Sequence, residues 1–369
     1  MNILHLYKDY YPVLGGIENH IRVLAEAQAS AGHQVTVLAC DPGPSTHVDT
    51  LNGVQVIMAG RLTTAASMPL SLKQPLALAR LRPDIVHIHS PYPLGELANL
   101  LLRRARATVI THHSDVVRQR GWLRLYAPFL RRVLRAADRI IATSPRYIET
   151  SPWLRPVRDK CTVVPLGVDL VRFSPPVEAR RPAPAPVQAA TLLFTGRLRY
   201  YKGLDTLFQA LSRLPDVQLL VVGDGPMRED WERMVDDLHL AQRVTFAGDV
   251  PDEDLPGYYR GADVFVLPAN ARAEAFGTVL LEAMASGLPC VTTEVGTGTS
   301  WVVQDGVTGA VVPPQDPAAL ADAIRGMLHD PERRAALGHA ARARVEMEFT
   351  TERMVTRVQG VYEEVLRPT

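Results

Sequence analysis

Ser174-Pro-Pro-Val-Glu-Ala-Arg-Arg-Pro-Ala-Pro-Ala-Pro-Val-Gln188 divides the 369-residue chain into two parts of the same kind. Five of its fifteen residues are proline. Proline lacks a backbone donor and fixes φ, so the stretch suits neither a sheet ladder nor a helix interior. It shows no helical or strand periodicity and reads as a linker over 174–190. On both sides of it, short apolar runs alternate with longer amphipathic ones, the pattern of α/β proteins with parallel sheets. The expected organisation is an α/β domain over 1–173, the linker, and a second α/β domain over 191–350.

Before the linker, strands are expected at 2–6, 34–39, 54–58, 85–88, 107–111, 139–142 and 161–164, with helices over 18–32, 95–104 and 122–136. After it, strands are expected at 191–195, 217–222, 243–246, 263–267, 289–292 and 310–312. Helices fit at 203–213, 226–239, 253–260, 278–286, 317–328 and 331–347, and 351–365 is a further amphipathic pattern. Sheets of this kind bind ligands at the C-terminal ends of their strands, so two such halves are expected to place a ligand cleft between them.

The composition is that of a globular enzyme, with 47% hydrophobic and 21% charged residues. A formal net charge of +1 gives no general attraction to nucleic acid, and none is expected as a partner. Cys40, Cys161 and Cys290 are too widely spaced for a metal or disulfide pattern, which points to a reducing, cytoplasmic setting. Met1-Asn-Ile-Leu-His-Leu-Tyr7 lacks a basic leader and a long apolar core and reads as a first strand. No run reaches the roughly 18 apolar residues that a membrane-spanning helix requires.

Glu274 and Glu282 flank Phe276-Gly277. Eight residues make about 2.2 turns, so the two carboxylates would not share one helix face. The spacing is explained if Glu274 precedes a helix that starts near Gly277 and Glu282 lies two turns inside it. A helix N-terminus attracts anions through its free N–H groups and dipole, and carboxylates on either side suit hydroxyls flanking a phosphate. A surface loop before an ordinary helix has the same spacing.

Other segments offer comparable chemistry. Gly15-Gly16 precedes a helix and would let backbone approach a phosphate, as a simple turn also would. Gly196-Arg197…Lys202-Gly203 follows a strand. Its two cations could clamp a diphosphate, arginine as a fork and lysine as a point charge, or stand solvated at the surface. Val221-Val222-Gly223-Asp224-Gly225-Pro226 and Phe246-Ala-Gly248-Asp249-Val250 are strand-end turns. Thr111-His112-His113-Ser114-Asp115 puts a polar cluster directly after a strand, where ligands bind. There is no Gly-x-Ser-x-Gly elbow and no His-x-x-x-His pair, which argues against serine-hydrolase or zinc chemistry. Arg118–Arg135 carries six arginines and no acids, interleaved with Trp122, Tyr126 and Phe129. That suits an anionic membrane surface, or a helix with its aromatics turned to the core.

In this order, Gly15-Gly16, Pro165-Leu-Gly-Val-Asp169, Gly196-Arg197…Lys202-Gly203, Gly223-Asp-Gly-Pro226 and Glu274–Glu282 resemble the retaining glycosyltransferases of family 4. The resemblance spans almost the whole chain and is carried by the ordered set. Leu4-His-Leu-Tyr-Lys-Asp-Tyr-Tyr-Pro12 and Thr111–Asp115 are similar, more narrowly, to bacterial mannosyltransferases of polysaccharide assembly.

The resemblance implies the GT-B fold: two Rossmann-like domains facing across a cleft, acceptor on the first and nucleotide sugar on the second, with 351–369 packing back onto the first. Carried over by position, Arg197 and Lys202 would bind the donor diphosphate, and Gly16 would approach it. Glu282 would bind ribose, while Glu274 and the backbone around Phe276 and Gly277 would hold the transferred sugar. Thr278 and Val279 would offer backbone to the phosphates, Val250 would line the base pocket, and His113 would sit near the sugar. His113, Arg197, Lys202 and Glu274 are thus the catalytic candidates. The implied reaction moves a hexose, mannose from GDP-mannose in the first reading, onto a saccharide or polyprenyl-linked acceptor. It would retain configuration and need neither cofactor nor metal. A UDP-sugar donor and a nucleotide-sugar epimerase of the same fold remain alternatives. Arg118–Arg135 would hold the protein at the inner face of the cell membrane.

Overall fold

A computed structural model describes residues 1–13, 15–65, 68–115, 120–175 and 190–367, with the backbone alone at 65 and 120–125. The linker prolines from Pro176 onward and Arg118 lie outside the described residues. The chain forms two compact units, Met1–Pro165 with Thr351–Thr369, and Leu166–Thr350.

In the first unit the chain runs β1 (Asn2–Leu6), α1 (Gly16–Ser30), β2 (Gln34–Asp41), β3 (His47–Leu51), β4 (Val54–Gly60), β5 (Thr63–Ala65) and β6 (Met68–Leu70). It continues α2 (Lys73–Arg80), β7 (Ile85–Ser90), α3 (Pro93–Leu102), β8 (Ala107–His112), α4 (Arg120–Ala136), β9 (Arg139–Ala142), α5 (Pro145–Thr150) and β10 (Cys161–Val163). The main sheet has the order β10-β9-β8-β7-β1-β2-β4-β3. Only β3 runs antiparallel to its neighbour; it was not expected, because four of its five residues are exposed and give no buried alternation.

Strand order reverses where β1 meets both β2 and β7. Every residue of β7 is buried, as a central parallel strand covered on both faces requires. Ile3 of β1, Ile85 of β7 and Val109 of β8 join Leu24 of α1 in one apolar cluster. The same cluster takes in Met354, Val358, Val361 and Tyr362 of the last helix.

The second unit runs β11 (Ala190–Thr195), α6 (Leu204–Leu211), β12 (Val217–Val222), α7 (Arg228–Asp237), β13 (Val244–Gly248), α8 (Leu255–Gly261), β14 (Val264–Leu267) and α9 (Thr278–Ala285). Then come β15 (Cys290–Thr293), α10 (Thr299–Val302), β16 (Gly309–Val312), α11 (Pro317–His329) and α12 (Pro331–Glu348); α13 (Thr351–Leu366) belongs to the first unit. All strands are parallel in the order β13-β12-β11-β14-β15-β16, the Rossmann arrangement with its switch point between β11 and β14.

One boundary differs from expectation. Leu166–Pro175, assigned above mainly to the first domain, belongs to the second unit. Leu166, Val168 and Phe173 join the second core, and the Val168 N–H donates to the Phe349 carbonyl at 2.9 Å. Composition locates the proline run, but burial sets where one core ends.

The basic segment also resolves in part. Leu130, Val133 and Leu134 of α4 are buried while Arg131, Arg132 and Arg135 are exposed. Tyr126 faces inward, its Oη donating to Glu96 Oε2 at 2.6 Å, so this aromatic serves packing and not an outer surface. Among the described residues no helix is long and apolar enough to cross a membrane.

Candidate active site

Two loops of the second unit meet at the switch point, one leaving β11 and one leaving β14. The first turns at Gly196, runs through the 3₁₀ turn Tyr200–Lys202 and enters α6 after Gly203. Gly203 has φ +72, and a Cβ there would overlap the Pro268 carbonyl oxygen, so this close approach of the two loops requires glycine. The loops are laced together: the Asn270 N–H donates to the Tyr201 carbonyl at 2.9 Å, and Asn270 Nδ2 to the Tyr200 carbonyl at 3.1 Å.

This lacing brings Lys202 to Glu274. Nζ lies 2.6 Å from Oε2, a close charge contact. Both side chains are nearly buried, at 10% and 11% exposure, so Lys202 is no solvated surface cation. Burial opposes the lysine's charge, yet the Glu274 carboxylate, with Tyr201 and Glu282, holds the ammonium above its ordinary value. Arg197 differs: it is exposed and makes no ion pair among the described residues.

Beyond Glu274 the chain reaches Gly277, at φ +80, which caps the N-terminus of α9. Glu274 therefore precedes the helix and Glu282 lies inside it, as the spacing implies. The first-turn N–H groups of α9, at Thr278 and Val279, have no acceptor within the helix. Both residues are partly accessible. The Glu274 carbonyl accepts from Thr297 Oγ1 at 2.7 Å, which holds the loop against the segment after β15. Phe276 is buried and packs edge-on to Phe349, so whatever it offers a ligand is backbone.

Glu282 has a partner that sequence reasoning did not find. Tyr259 of α8 donates its hydroxyl to Glu282 Oε2 at 2.6 Å and accepts from Thr195 Oγ1 at 2.6 Å. The carboxyl sits deep among protein atoms but keeps part of its surface open. Burial pushes it up to about 7, against the lowering effects of the Tyr259 hydrogen bond and the charges of Arg172 and Lys202. Val250 follows β13, partly buried against the core.

Asp252-Glu-Asp254 has the Asp-x-Asp spacing; the three residues are exposed, and Arg172 bonds the Asp252 carbonyl at 2.6 Å.

In the first unit, Gly16 is the exposed first residue of α1. His113, directly after β8, is buried and belongs to a cluster with His5, His20, His87 and His89 that the sequence analysis missed. The available signal was His87-Ile-His89, two histidines at strand period. His5–His87–His89 and His20–His89–His113 each bring three ring nitrogens within 4.8 Å of one another. The absence of a His-x-x-x-His pair therefore did not preclude histidine triads, because residues far apart in sequence contribute.

Residues 14–172 match the family described as Glycosyltransferase Family 4, and residues 178–344 match Glycosyl transferases group 1. The chain is 36% identical to the O-antigen chain mannosyltransferase C of Escherichia coli, covering 99% of each. It is 37% identical to the D-rhamnosyltransferase WbpZ of Pseudomonas aeruginosa, over 95% of this chain and 92% of that one. The sucrose-phosphate synthase of Thermosynechococcus elongatus superposes with a TM-score of 0.83 at 27% identity, covering 98% of each chain. Fold and loops define a glycosyltransferase of the GT-B class. The chain belongs to glycosyltransferase family 4.

Proposed function

We propose that the protein transfers a hexose with retention, mannose from GDP-mannose in the first instance, onto a saccharide or polyprenyl-linked acceptor in cell-surface glycan synthesis. The observation that carries this reading is the buried Lys202–Glu274 pair beside the Gly277-capped start of α9. A diphosphate would take Lys202 and Arg197 as counter-charges and the first-turn N–H groups of α9 as donors. Glu274, relieved of Lys202, would accept hydroxyls of the transferred sugar. Glu282 would accept from the ribose, with Tyr259 holding its other oxygen, and Val250 would border the base.

As the glycosidic bond breaks, negative charge grows on the leaving diphosphate, and Arg197 and Lys202 stabilise it. The acceptor hydroxyl attacks from the same face and gives its proton to a donor phosphate oxygen. Glu274 positions the sugar and is not a covalent nucleophile. Gly16 and His113 are assigned to the first unit's share of substrate binding. The mannosyl reading is favoured by the O-antigen mannosyltransferase relative; a relative named for D-rhamnose keeps a deoxy-sugar in the comparison. Thermal shift and transfer with GDP-mannose, GDP-rhamnose and UDP-glucose decide the donor. A shift with none of them overturns the reading.

Exposed Arg131, Arg132 and Arg135 on α4 favour peripheral contact with anionic lipid. Vesicles containing phosphatidylglycerol should bind the protein, and more weakly as salt rises. Binding that is absent or unaffected by salt refutes the contact.

A further inference from the structure

Three histidines of the first unit form a continuous hydrogen-bonded chain with Gln28. His5 Nε2 meets Gln28 Oε1 at 2.8 Å, His5 Nδ1 meets His89 Nε2 at 3.0 Å, and His89 Nδ1 meets His113 Nε2 at 3.0 Å. Period-two alternation on adjacent strands puts these rings on one sheet face, beneath α1 and α13. Gln28 itself is oriented from α13: its Nε2 donates to Tyr362 Oη at 3.5 Å, and Tyr362 is bonded at 2.6 Å to His87 Nδ1.

Such a chain has a direction. The Gln28 Oε1 atom can only accept, so His5 carries its proton on Nε2. A neutral His5 then accepts at Nδ1, which puts the proton of His89 on Nε2, and the same step puts the proton of His113 on Nε2. Burial holds these rings neutral, lowering His5 to about 4 and His89 and His113 well below the ordinary histidine value. The chain opens only at its far end: His5 and His89 are 0% exposed and His113 is 6% exposed.

We propose that Gln28, His5 and His89 are positioning residues that lock His113 as its neutral Nε2–H tautomer, leaving its Nδ1 lone pair to accept a saccharide hydroxyl. The saccharide part rests on the function proposed above; the lock does not. A cation at His113 would instead attract phosphate, and burial holds the ring neutral. His20, His89 and His113 also lie close enough to share a metal, which zinc titration distinguishes from hydrogen bonding. Among the described residues, the groups facing His113 are His89 on β7, His20 on α1, which lies edge-on to it, and its neighbour His112, which pairs with the buried Asp115 at 3.1 Å.

The test is nitrogen NMR of the full-length protein labelled at histidine, read at neutral pH. Wild type should show His113 protonated at Nε2 alone. Gln28→Met, three hydrogen bonds away, should show a tautomer mixture and a several-fold loss of kcat/KM. Gln28→Glu, which still accepts from His5, should restore the single tautomer and move the acid limb of the pH profile upward. An Nδ1 proton on wild-type His113, or an unchanged tautomer in Gln28→Met, overturns the lock; the wild-type spectrum decides even where a variant fails to fold. Stoichiometric perturbation of His20, His89 and His113 by zinc overturns it in favour of a metal site. Mixed tautomers with unaltered transfer refute the saccharide role. A locked His113 in a protein that transfers from no nucleotide sugar refutes the activity and leaves the lock standing.

Discussion

Lys202 Nζ lies 2.6 Å from Glu274 Oε2, with both side chains close to full burial. Each neutralises the other where neither could be solvated alone. A diphosphate sugar would replace both partners at once, phosphate for the carboxylate and hydroxyls for the ammonium. In the proposed reading the pair keeps two costly charges in place until the donor arrives.

Breaking the pair on one side should be costly. Lys202→Ala strands a buried carboxylate and is expected to lose about 3 kcal/mol of stability along with transfer. The double variant Lys202→Met/Glu274→Gln should recover much of that stability and remain inactive. Thermal melts beside turnover test this; a double variant no more stable than Lys202→Ala would refute the coupling.

Arg197 should behave differently, because it is exposed. Arg197→Ala is expected to leave stability within about 0.5 kcal/mol and to reduce kcat/KM by at least tenfold. Full activity in this variant would remove Arg197 from the diphosphate site.

If Glu282 binds ribose as proposed, it sets a pH dependence. Its carboxyl, pushed up to about 7, accepts ribose hydroxyls best when ionised, so donor affinity should rise from pH 5 to 8. Tyr259→Phe removes a hydrogen bond that favours the carboxylate, and the rise should move to higher pH. Isothermal titration at several pH values reads this, and an unshifted profile would separate Tyr259 from Glu282.

The same group acts on stability with the opposite sign. Its folded value lies above the unfolded one, so the folded state binds the proton more tightly. Stability from this group is full below the unfolded value of about 4.5 and declines as pH rises toward 7. Glu282→Gln should therefore melt higher than wild type at pH 8 and similarly at pH 5.

Gly203→Ala should destabilise the second unit by about 1–3 kcal/mol, because φ +72 is strained for alanine and the Pro268 carbonyl occupies the Cβ position. A melt equal to wild type would show that the two loops can separate without loss.

Much of this protein is local and therefore legible in sequence. Alternating periods gave two α/β halves, and Gly277 with its neighbours marked the start of α9, because both depend on residues a few positions apart. Glu274, Glu282, Arg197 and Lys202 could be picked out as residue types. Their partnerships could not, since Lys202 meets Glu274 only because β11 lies beside β14. Tyr259 reaches Glu282 from a third element, and the histidine chain needs α1, three strands and α13 together. Local residue patterns settled the elements and the chemistry on offer. Strand order and burial, properties of the whole chain, decided which charges pair, which stay free and which histidine faces outward.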